Sequence, residues 1–250
     1  MNTAKTVAQL STQATIGQIV SVSDTAESLL YSIGLKPEVH KEKTLSQVCT
    51  ELKWNEEEVL EWIKHKNSGS ANGSENKIES TDQFDKLCLA ERTVYIYTTY
   101  HNTIFELMYD VNQTLPRVYQ VHGIQDPVIK ILEQEFESFS ERLLLHLKFQ
   151  RNRFFKQIQK YEAERSEVSD GVVQGLKKSV GIIRDDQKEL NKKMDTFERI
   201  TNHFRLPEYA CSTYRILMKS LEVLVGGVRE MNIDIENGLN QPICKILKLN

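Results

Sequence analysis

With 250 residues, of which 40% are hydrophobic and 27% charged, the chain has the composition of an ordinary globular protein and room for one sizeable domain plus a small one. A formal net charge of −3 provides no overall field to recruit nucleic acid or an anionic membrane, so we expect neither as a partner. No apolar run approaches the roughly 18 residues that span a bilayer, and the first twenty residues hold one lysine and no continuous apolar core, so we expect a cytoplasmic protein.

The first part of the chain is predicted to be a small helical domain over residues 1–66. Apolar residues recur at helical spacing in TIGQIVSVSDTAESLLYSIGL, where Ser23 is placed to cap a helix that runs through Leu30. Two more short helices are predicted in KTLSQVCTELKWNEEEVLEWIKHK. Asn55 is expected to cap the second of these, and the three glutamates that follow favour the positive end of the helix dipole.

A flexible linker is predicted to follow the small domain. Residues 67–80 read NSGSANGSENKIES, which is rich in Ser, Gly and Asn and nearly devoid of apolar side chains. This composition is typical of a flexible connection. We therefore assign residues 67–81 to a linker.

Four long periodic segments predict the main domain, over residues 82–250. They are separated by breaks that carry Pro, Gly or a cap residue. Short connections between long amphipathic helices favour an antiparallel four-helix bundle, so the predicted fold class is all-α. The segments are approximately 82–115, 127–161, 171–204 and 208–238, with breaks at Leu115-Pro116, 122–127, 166–171 and 205–209.

The common catalytic and nucleotide-binding motifs do not occur in the sequence. Without GxGxxG, GxxxxGK[ST], GxSxG, HExxH or an EF-hand loop, we predict no catalytic residues and no nucleotide cofactor. The four cysteines are dispersed without a CxxC pair, which argues against a disulfide framework and a thiolate metal site. Basic and aromatic residues interleave at 148–161, but the arrangement is better explained by a helix with one apolar face.

Two pairs of polar side chains are spaced to converge inside the bundle. His146 is followed four residues later by Gln150, and Asn232 is followed at the same spacing by Glu236, so each pair shares one helix face. His101 lies mid-helix in the preceding segment. Di-iron bundles present a histidine with a carboxylate in this way, so the residues indicate a metal site, its remnant or a polar core.

Six stretches between about Ile16 and Pro242 carry a resemblance to a known family. They are IGLKPEVHKEKTLSQVC (33–49), YHN (100–102), VHG (121–123), LLLHLKFQRNRFF (143–155), ITNHFRLPEYACSTYRIL (200–217) and IEN (235–237). The most specific part is T-x-x-[FY]-x-x-P-x-x-A-C-x-T-Y. With these residues the chain resembles the repair of iron centres family, hemerythrin-like di-iron proteins associated with recovery of iron–sulfur clusters after nitrosative and oxidative stress, and residues 33–49 resemble the family's ScdA-type N-terminal domain.

The resemblance implies a metal site that has degenerated in this chain. His101, His146 and Glu236 match the family's ligand positions. The other ligand positions fall on neutral amides: Gln150 for a glutamate, and Gln187 and Asn232 for histidines, with Met231 in place of Asn232 if the register slips by one. In the small domain the family's adjacent cysteines fall on Glu38 and Val39, although Cys49 remains.

Two functions follow from this comparison. In the first, the protein kept the bundle, lost the di-iron centre and acts as a non-catalytic binding or regulatory protein with no cofactor. In the second, His101, His146 and Glu236, with Asp185 or Asp186 nearby, hold a single labile iron ion, a ligand set that suits Fe(II). Under either, we expect a protein partner or a homo-oligomer.

Overall fold

The computed structural model describes residues 10–22, 26–73, 81–164 and 168–248, and these ranges are helical apart from turns and short connections. Within them the only β-type pairing is an isolated bridge between Thr15 and Thr44. The predicted all-α class is therefore confirmed. None of the helices in these ranges is long and apolar enough to cross a membrane. The cap predicted at Ser23 lies outside the described residues.

Five helices form the small N-terminal domain. Thr15 and Thr44 each start a helix with a capping box, in which the threonine side chain and a glutamine three residues later satisfy each other's backbone N–H groups. Asn55 accepts from the N–H groups of Glu57 and Glu58 and so caps the last helix as predicted. The helices are α1 (Ile16–Ser21), α2 (Ala26–Ser32), α3 (Pro37–His40), α4 (Leu45–Leu52) and α5 (Glu56–Gly73).

Helix α5 is longer than the sequence pattern indicated. It continues through Gly73, so residues 67–73 of the segment predicted as a flexible linker are helical. Once a helix has nucleated, each added residue gains a backbone hydrogen bond, so polar sequence alone does not end it. Residues 74–80 lie outside the described ranges, and the domain boundary at residue 66 stays a prediction.

The small domain docks against the last long helix of the main domain. The N–H of Asn55 donates to Ser212 Oγ over 3.1 Å, and the guanidinium of Arg215 lies 5.4 Å from the centre of the Trp54 ring. Ile216, only 3% exposed, is buried in the small domain's own apolar core. The contact therefore combines a hydrogen bond, a cation–π interaction and apolar burial.

Four long helical segments, preceded by the short helix α6 (Thr81–Lys86), surround the core of the main domain. Three of them are interrupted by a five-residue π-turn, in which the backbone hydrogen bonds span one extra residue. The first segment is α7 (Leu89–Ile96), a π-turn (Tyr97–His101) and α8 (Asn102–His122). The second is α9 (Pro127–Phe149), a π-turn (Gln150–Phe154) and α10 (Phe155–Ala163); the third is α11 (Asp170–Ile200); the fourth is α12 (Ser212–Ile235), a π-turn (Glu236–Asn240) and α13 (Gln241–Ile246).

The packing of these segments gives a bundle with antiparallel neighbours. The start of the first segment packs against the end of the second, and its end packs against the start of the second. The third segment packs on the second, and the fourth lies along the first. Aromatic side chains pack in the apolar interior. The rings of Phe139 and Phe197 meet edge-on, with 5.1 Å between their centroids.

The predicted break at Leu115-Pro116 is wrong, because α8 continues through Pro116 to His122. A proline inside a helix removes one hydrogen bond and costs about 3 kcal/mol. Leu115 and Val118, on either side of it, are 3% and 1% exposed, so burial of this last part of the helix offsets that cost. The fourth helix also starts later than predicted, at Ser212, and its segment extends beyond residue 238 to Ile246.

Candidate functional site

Each of the three π-turns begins or ends at a residue singled out as a candidate ligand or lost ligand. His101 ends the first, Gln150 begins the second and Glu236 begins the third. A π-turn is less stable than regular helix, and single turns of this kind occur most often at functional sites. The backbone of this chain therefore has its irregular turns at the positions where the sequence suggested a site.

A chain of hydrogen bonds, here called the polar relay, joins His101, Gln150, His146 and Asp186 across three helical segments. His101 Nε2 lies 2.8 Å from Gln150 Oε1, and Gln150 Nε2 lies 2.7 Å from His146 Nε2. His146 Nδ1 lies 3.4 Å from Asp186 Oδ2. The two histidines and the glutamine are 0% exposed, so the relay runs from the half-buried Asp186 into the closed interior.

Asp186, at the outer end of the relay, determines which atom donates in each of its hydrogen bonds. The hydrogen bond from His146, together with the charge of Arg142, lowers the pKa of Asp186 below its usual value, and Arg142 binds the same carboxylate at 2.9 Å. An ionised Asp186 only accepts, so His146 donates from Nδ1 and its Nε2 accepts from the Gln150 amide N–H. Gln150 Oε1 then accepts from His101 Nε2.

The inner end of the relay is a neutral imidazole. Burial, helped by the nearby His146 and Arg151, lowers the pKa of His101 to about 4, although the hydrogen bond to Gln150 acts in the opposite direction. Since His101 donates from Nε2, its Nδ1 carries a lone pair, and this atom has no hydrogen-bond partner in the described structure. The relay thus holds one unused acceptor in the bundle interior.

Gln187 and Asn232 form a separate pair of amides between the third and fourth segments. Gln187 Nε2 lies 3.4 Å from both the backbone oxygen and the Oδ1 of Asn232, which makes two long hydrogen bonds. Asn232 Nδ2 has no partner within the described residues. Both side chains line an open groove of about 730 Å³, so this part of the predicted site lies next to solvent.

Glu236 does not join the two histidines. Arg184 binds its carboxylate through two hydrogen bonds of 2.7 and 3.1 Å, and Asn240 donates a third of 2.8 Å. Although partial burial acts in the opposite direction, the hydrogen bonds from Arg184 and Asn240 lower the pKa of Glu236. No hydrogen bond in the described part of the chain links this carboxylate to His101 or His146.

Comparison with known proteins finds distant relatives. Two iron-sulfur cluster repair proteins ScdA, from two strains of Staphylococcus epidermidis, are each 22% identical to this chain over 175 residues, which cover 67% of it and 75% of the relative. The ScdA protein of Staphylococcus haemolyticus is 23% identical over 144 residues, or 57% of this chain and 61% of that protein. This chain is therefore similar, at low identity, to iron-sulfur cluster repair proteins. No family model matches it.

The side chains present in this chain do not fit the pair of irons that the resemblance implies. A di-iron site in a bundle needs carboxylates that bridge the ions and imidazoles that complete their coordination. Here Asp186 and Glu236 are each bound by an arginine. Among the described residues, no group of three or more His, Cys, Asp or Glu side chains could hold a metal ion.

The small domain has no paired thiols at the place where the resemblance implies them. Glu38 accepts a hydrogen bond of 2.5 Å from the hydroxyl of Tyr31, and Val39 is 64% exposed. Cys49 is buried, and that burial raises its pKa to about 11. A thiol of this kind stays protonated and unreactive near neutral pH.

The residues that pair with the two carboxylates were not predicted from the sequence. Arg142 and Arg184 bind Asp186 and Glu236, and Asn240 adds a hydrogen bond to Glu236. The sequence spacing could have indicated two of them. Asn240 follows Glu236 by four residues and Arg184 precedes Gln187 by three, so each lies on the same helix face as a predicted site residue. The exposed Asp185 takes no part in the relay, whereas Asp186, named beside it, forms its outer end.

Proposed function

We propose that this chain is a divergent member of the hemerythrin-like repair of iron centres family that has lost its di-iron centre. It acts in the cytoplasm as a non-catalytic binding or regulatory protein whose partner is another protein or a second copy of the chain. The observation that carries the proposal is the position of the Gln150 amide between the Nε2 atoms of His101 and His146.

The Gln150 amide is hydrogen-bonded to the two imidazole nitrogen atoms that a metal ion would need as ligands. The lone pair of His146 Nε2 accepts from the amide, and the proton on His101 Nε2 is donated to it. To bind an ion there, both imidazoles must give up these bonds and the buried amide must be left unpaired, at a cost of about 1–3 kcal/mol for each unsatisfied group.

Charge supports the same conclusion. The replacement of a bridging glutamate by Gln150 removes one negative charge from a site that must hold two divalent ions. The remaining carboxylates, Asp186 and Glu236, already pair with Arg142 and Arg184. Since each arginine cancels a carboxylate charge that would otherwise attract a cation, the bundle interior offers little attraction for two ions.

Iron analysis of the purified protein tests the proposal. After anaerobic incubation with ferrous salt and removal of unbound metal, we expect far fewer than two irons per chain. Exposure of that sample to air should produce no absorption band of an oxo-bridged iron pair. Two tightly held irons per chain with such a band would overturn the proposal.

Restoring one carboxylate should not restore the centre. We expect Gln150→Glu to bind well below two irons per chain, because Gln187 and Asn232 still stand where the resemblance implies imidazoles. Gln159→Glu, at an exposed position on the same helical segment, makes the same change of charge and serves as the matched control. Uptake of two irons by Gln150→Glu alone would contradict this expectation.

One observation favours a second function, in which the site holds a single labile Fe(II). Asp186 accepts from His146 Nδ1 and thereby turns His146 Nε2 towards the interior, and a carboxylate that orients a histidine in this way is common next to metal ligands. His101 Nε2 faces the same Gln150. For Glu236 to take part, it would have to leave Arg184.

Replacing His146 distinguishes between the two proposed functions. If the relay is structural, His146→Ala lowers the free energy of unfolding by about 2 kcal/mol, since Gln150 and Asp186 lose a partner, and leaves the iron content unchanged. Lys148→Ala, at an exposed site on the same helix, should change neither. Loss of one bound iron from His146→Ala, with an unchanged melting temperature, would support the single-ion function instead.

A further inference from the structure

A cysteine–histidine pair lies at the other end of the first helical segment from the polar relay. Cys211 Sγ is 3.2 Å from His122 Nε2, and both residues are half-buried. His122 follows His101 by 21 positions along the same segment, a rise of about 30 Å in helical geometry. The pair is therefore a site of its own, independent of the relay and of any metal.

The imidazole of this pair is held in place by two tyrosines with a common anchor. The ring of His122 lies 5.8 Å from that of Tyr209 and 5.5 Å from that of Tyr214, measured between centroids. Both tyrosine hydroxyls donate to Asp126 Oδ2, at 3.0 and 2.9 Å. Asp126 is itself fixed, because its other carboxylate oxygen caps α9 at the N–H of Val128.

The cysteine lies at the N-terminus of a long helix. It is the N-cap residue of α12, a helix of 24 residues, whose unsatisfied N–H groups and dipole stabilise negative charge at this end. An adjacent imidazole can take the thiol proton and keep its positive charge beside the sulfur. Reactive cysteines occur in partly exposed, electropositive surroundings of this kind.

We propose that Cys211, paired with His122, is a nucleophilic thiol that exchanges with low-molecular-weight disulfides and so becomes a site of reversible modification. The thiol proton passes to His122 Nε2, and the thiolate attacks one sulfur of the small disulfide. A new S–S bond to Cys211 forms while the S–S bond of the reagent breaks. The departing thiolate carries the electron pair and takes the proton from the imidazolium, so no other oxidant is required.

Cys88 is a second cysteine of this chain with which the reactivity of Cys211 can be compared. Cys88 is more exposed than Cys211 and is also an N-cap residue, of α7. However, a hydrogen bond to the carboxylate of Glu162 raises the pKa of Cys88, although a backbone hydrogen bond at Glu91 acts in the opposite direction. Exposure alone therefore predicts that Cys88 reacts first, whereas the chemistry of the neighbouring groups predicts that Cys211 does.

The test uses the full-length protein and the aromatic disulfide 5,5′-dithiobis(2-nitrobenzoic acid), added below stoichiometry to the native protein. The released thiol gives the rate, and peptide mass spectrometry identifies the modified cysteine. We expect Cys211 to carry the first mixed disulfide and to react about 10-fold faster than Cys88, because an imidazole lies beside the first thiol and a carboxylate beside the second. First modification of Cys88 or Cys244 would overturn the proposal.

A histidine variant tests the role of the imidazole. His122→Gln should slow the reaction of Cys211 about 10-fold and leave that of Cys88 unchanged, while His40→Gln in the small domain changes neither. An unchanged Cys211 rate in a folded His122→Gln protein would refute the pairing. If that variant does not fold, the order of reaction of Cys211 and Cys88 in the unmodified chain still decides the question, and cystine as a second reagent should give the same order.

Discussion

Replacement of Gln150 by alanine is expected to lower the free energy of unfolding by about 3–5 kcal/mol. The truncation leaves His101 Nε2 and His146 Nε2 without partners in the closed interior, at about 1–3 kcal/mol each, and the missing side chain adds a cavity. Chemical denaturation followed by far-ultraviolet circular dichroism measures the change. The effect is large for a single substitution because both buried imidazoles depend on one amide.

A matched substitution separates this effect from the loss of any glutamine. Gln159 lies on the same helical segment, is exposed, and makes a hydrogen bond of 3.0 Å to Thr93. We expect Gln159→Ala to lower the free energy of unfolding by about 0.5–1.5 kcal/mol, the net contribution of one hydrogen bond. Equal losses for the two variants would show that the relay contributes nothing special to stability.

The helices of this protein were largely readable from hydrophobic periodicity and cap residues. Asn55 caps α5 as the sequence indicated, because a short polar side chain before an apolar period is a local signal. The ends of helices depend on tertiary packing and were less predictable. Pro116 is an example, since the burial of Leu115 and Val118 that compensates for the proline is not a property of the local sequence.

The sequence predicted which residues form the candidate site better than it predicted which of them are hydrogen-bonded to one another. The four-residue spacing placed Gln150 beside His146 on one helix face, and the structure joins them. The sequence did not show that Glu236 is separate from the histidines, because its carboxylate is bound by Arg184 of another helix. The π-turns that carry these residues also have no signature in the spacing, since they are stabilised by the surrounding packing.

Acidification should destabilise the protein through His101 well before the carboxylates titrate. Burial lowers the pKa of His101 from 6.5 to about 4, so between these values the unfolded chain binds a proton that the folded protein does not. The stabilising contribution is therefore complete above pH 6.5 and is lost as the pH falls towards 4. At about 1.4 kcal/mol for each pKa unit, the total loss is about 3 kcal/mol.

Comparison with His101→Gln isolates this contribution. Carboxylates with lowered pKa, such as those of Asp186 and Glu198, lose their contributions only at lower pH and are common to both proteins. From pH 7 to pH 5 the unmodified protein should lose about 2 kcal/mol more than the variant, because most of the His101 loss falls in that interval. Denaturant titrations at several pH values measure both slopes. Parallel slopes would mean that His101 is protonated as easily in the folded protein as in the unfolded chain, and the neutral imidazole at the inner end of the relay would have to be abandoned.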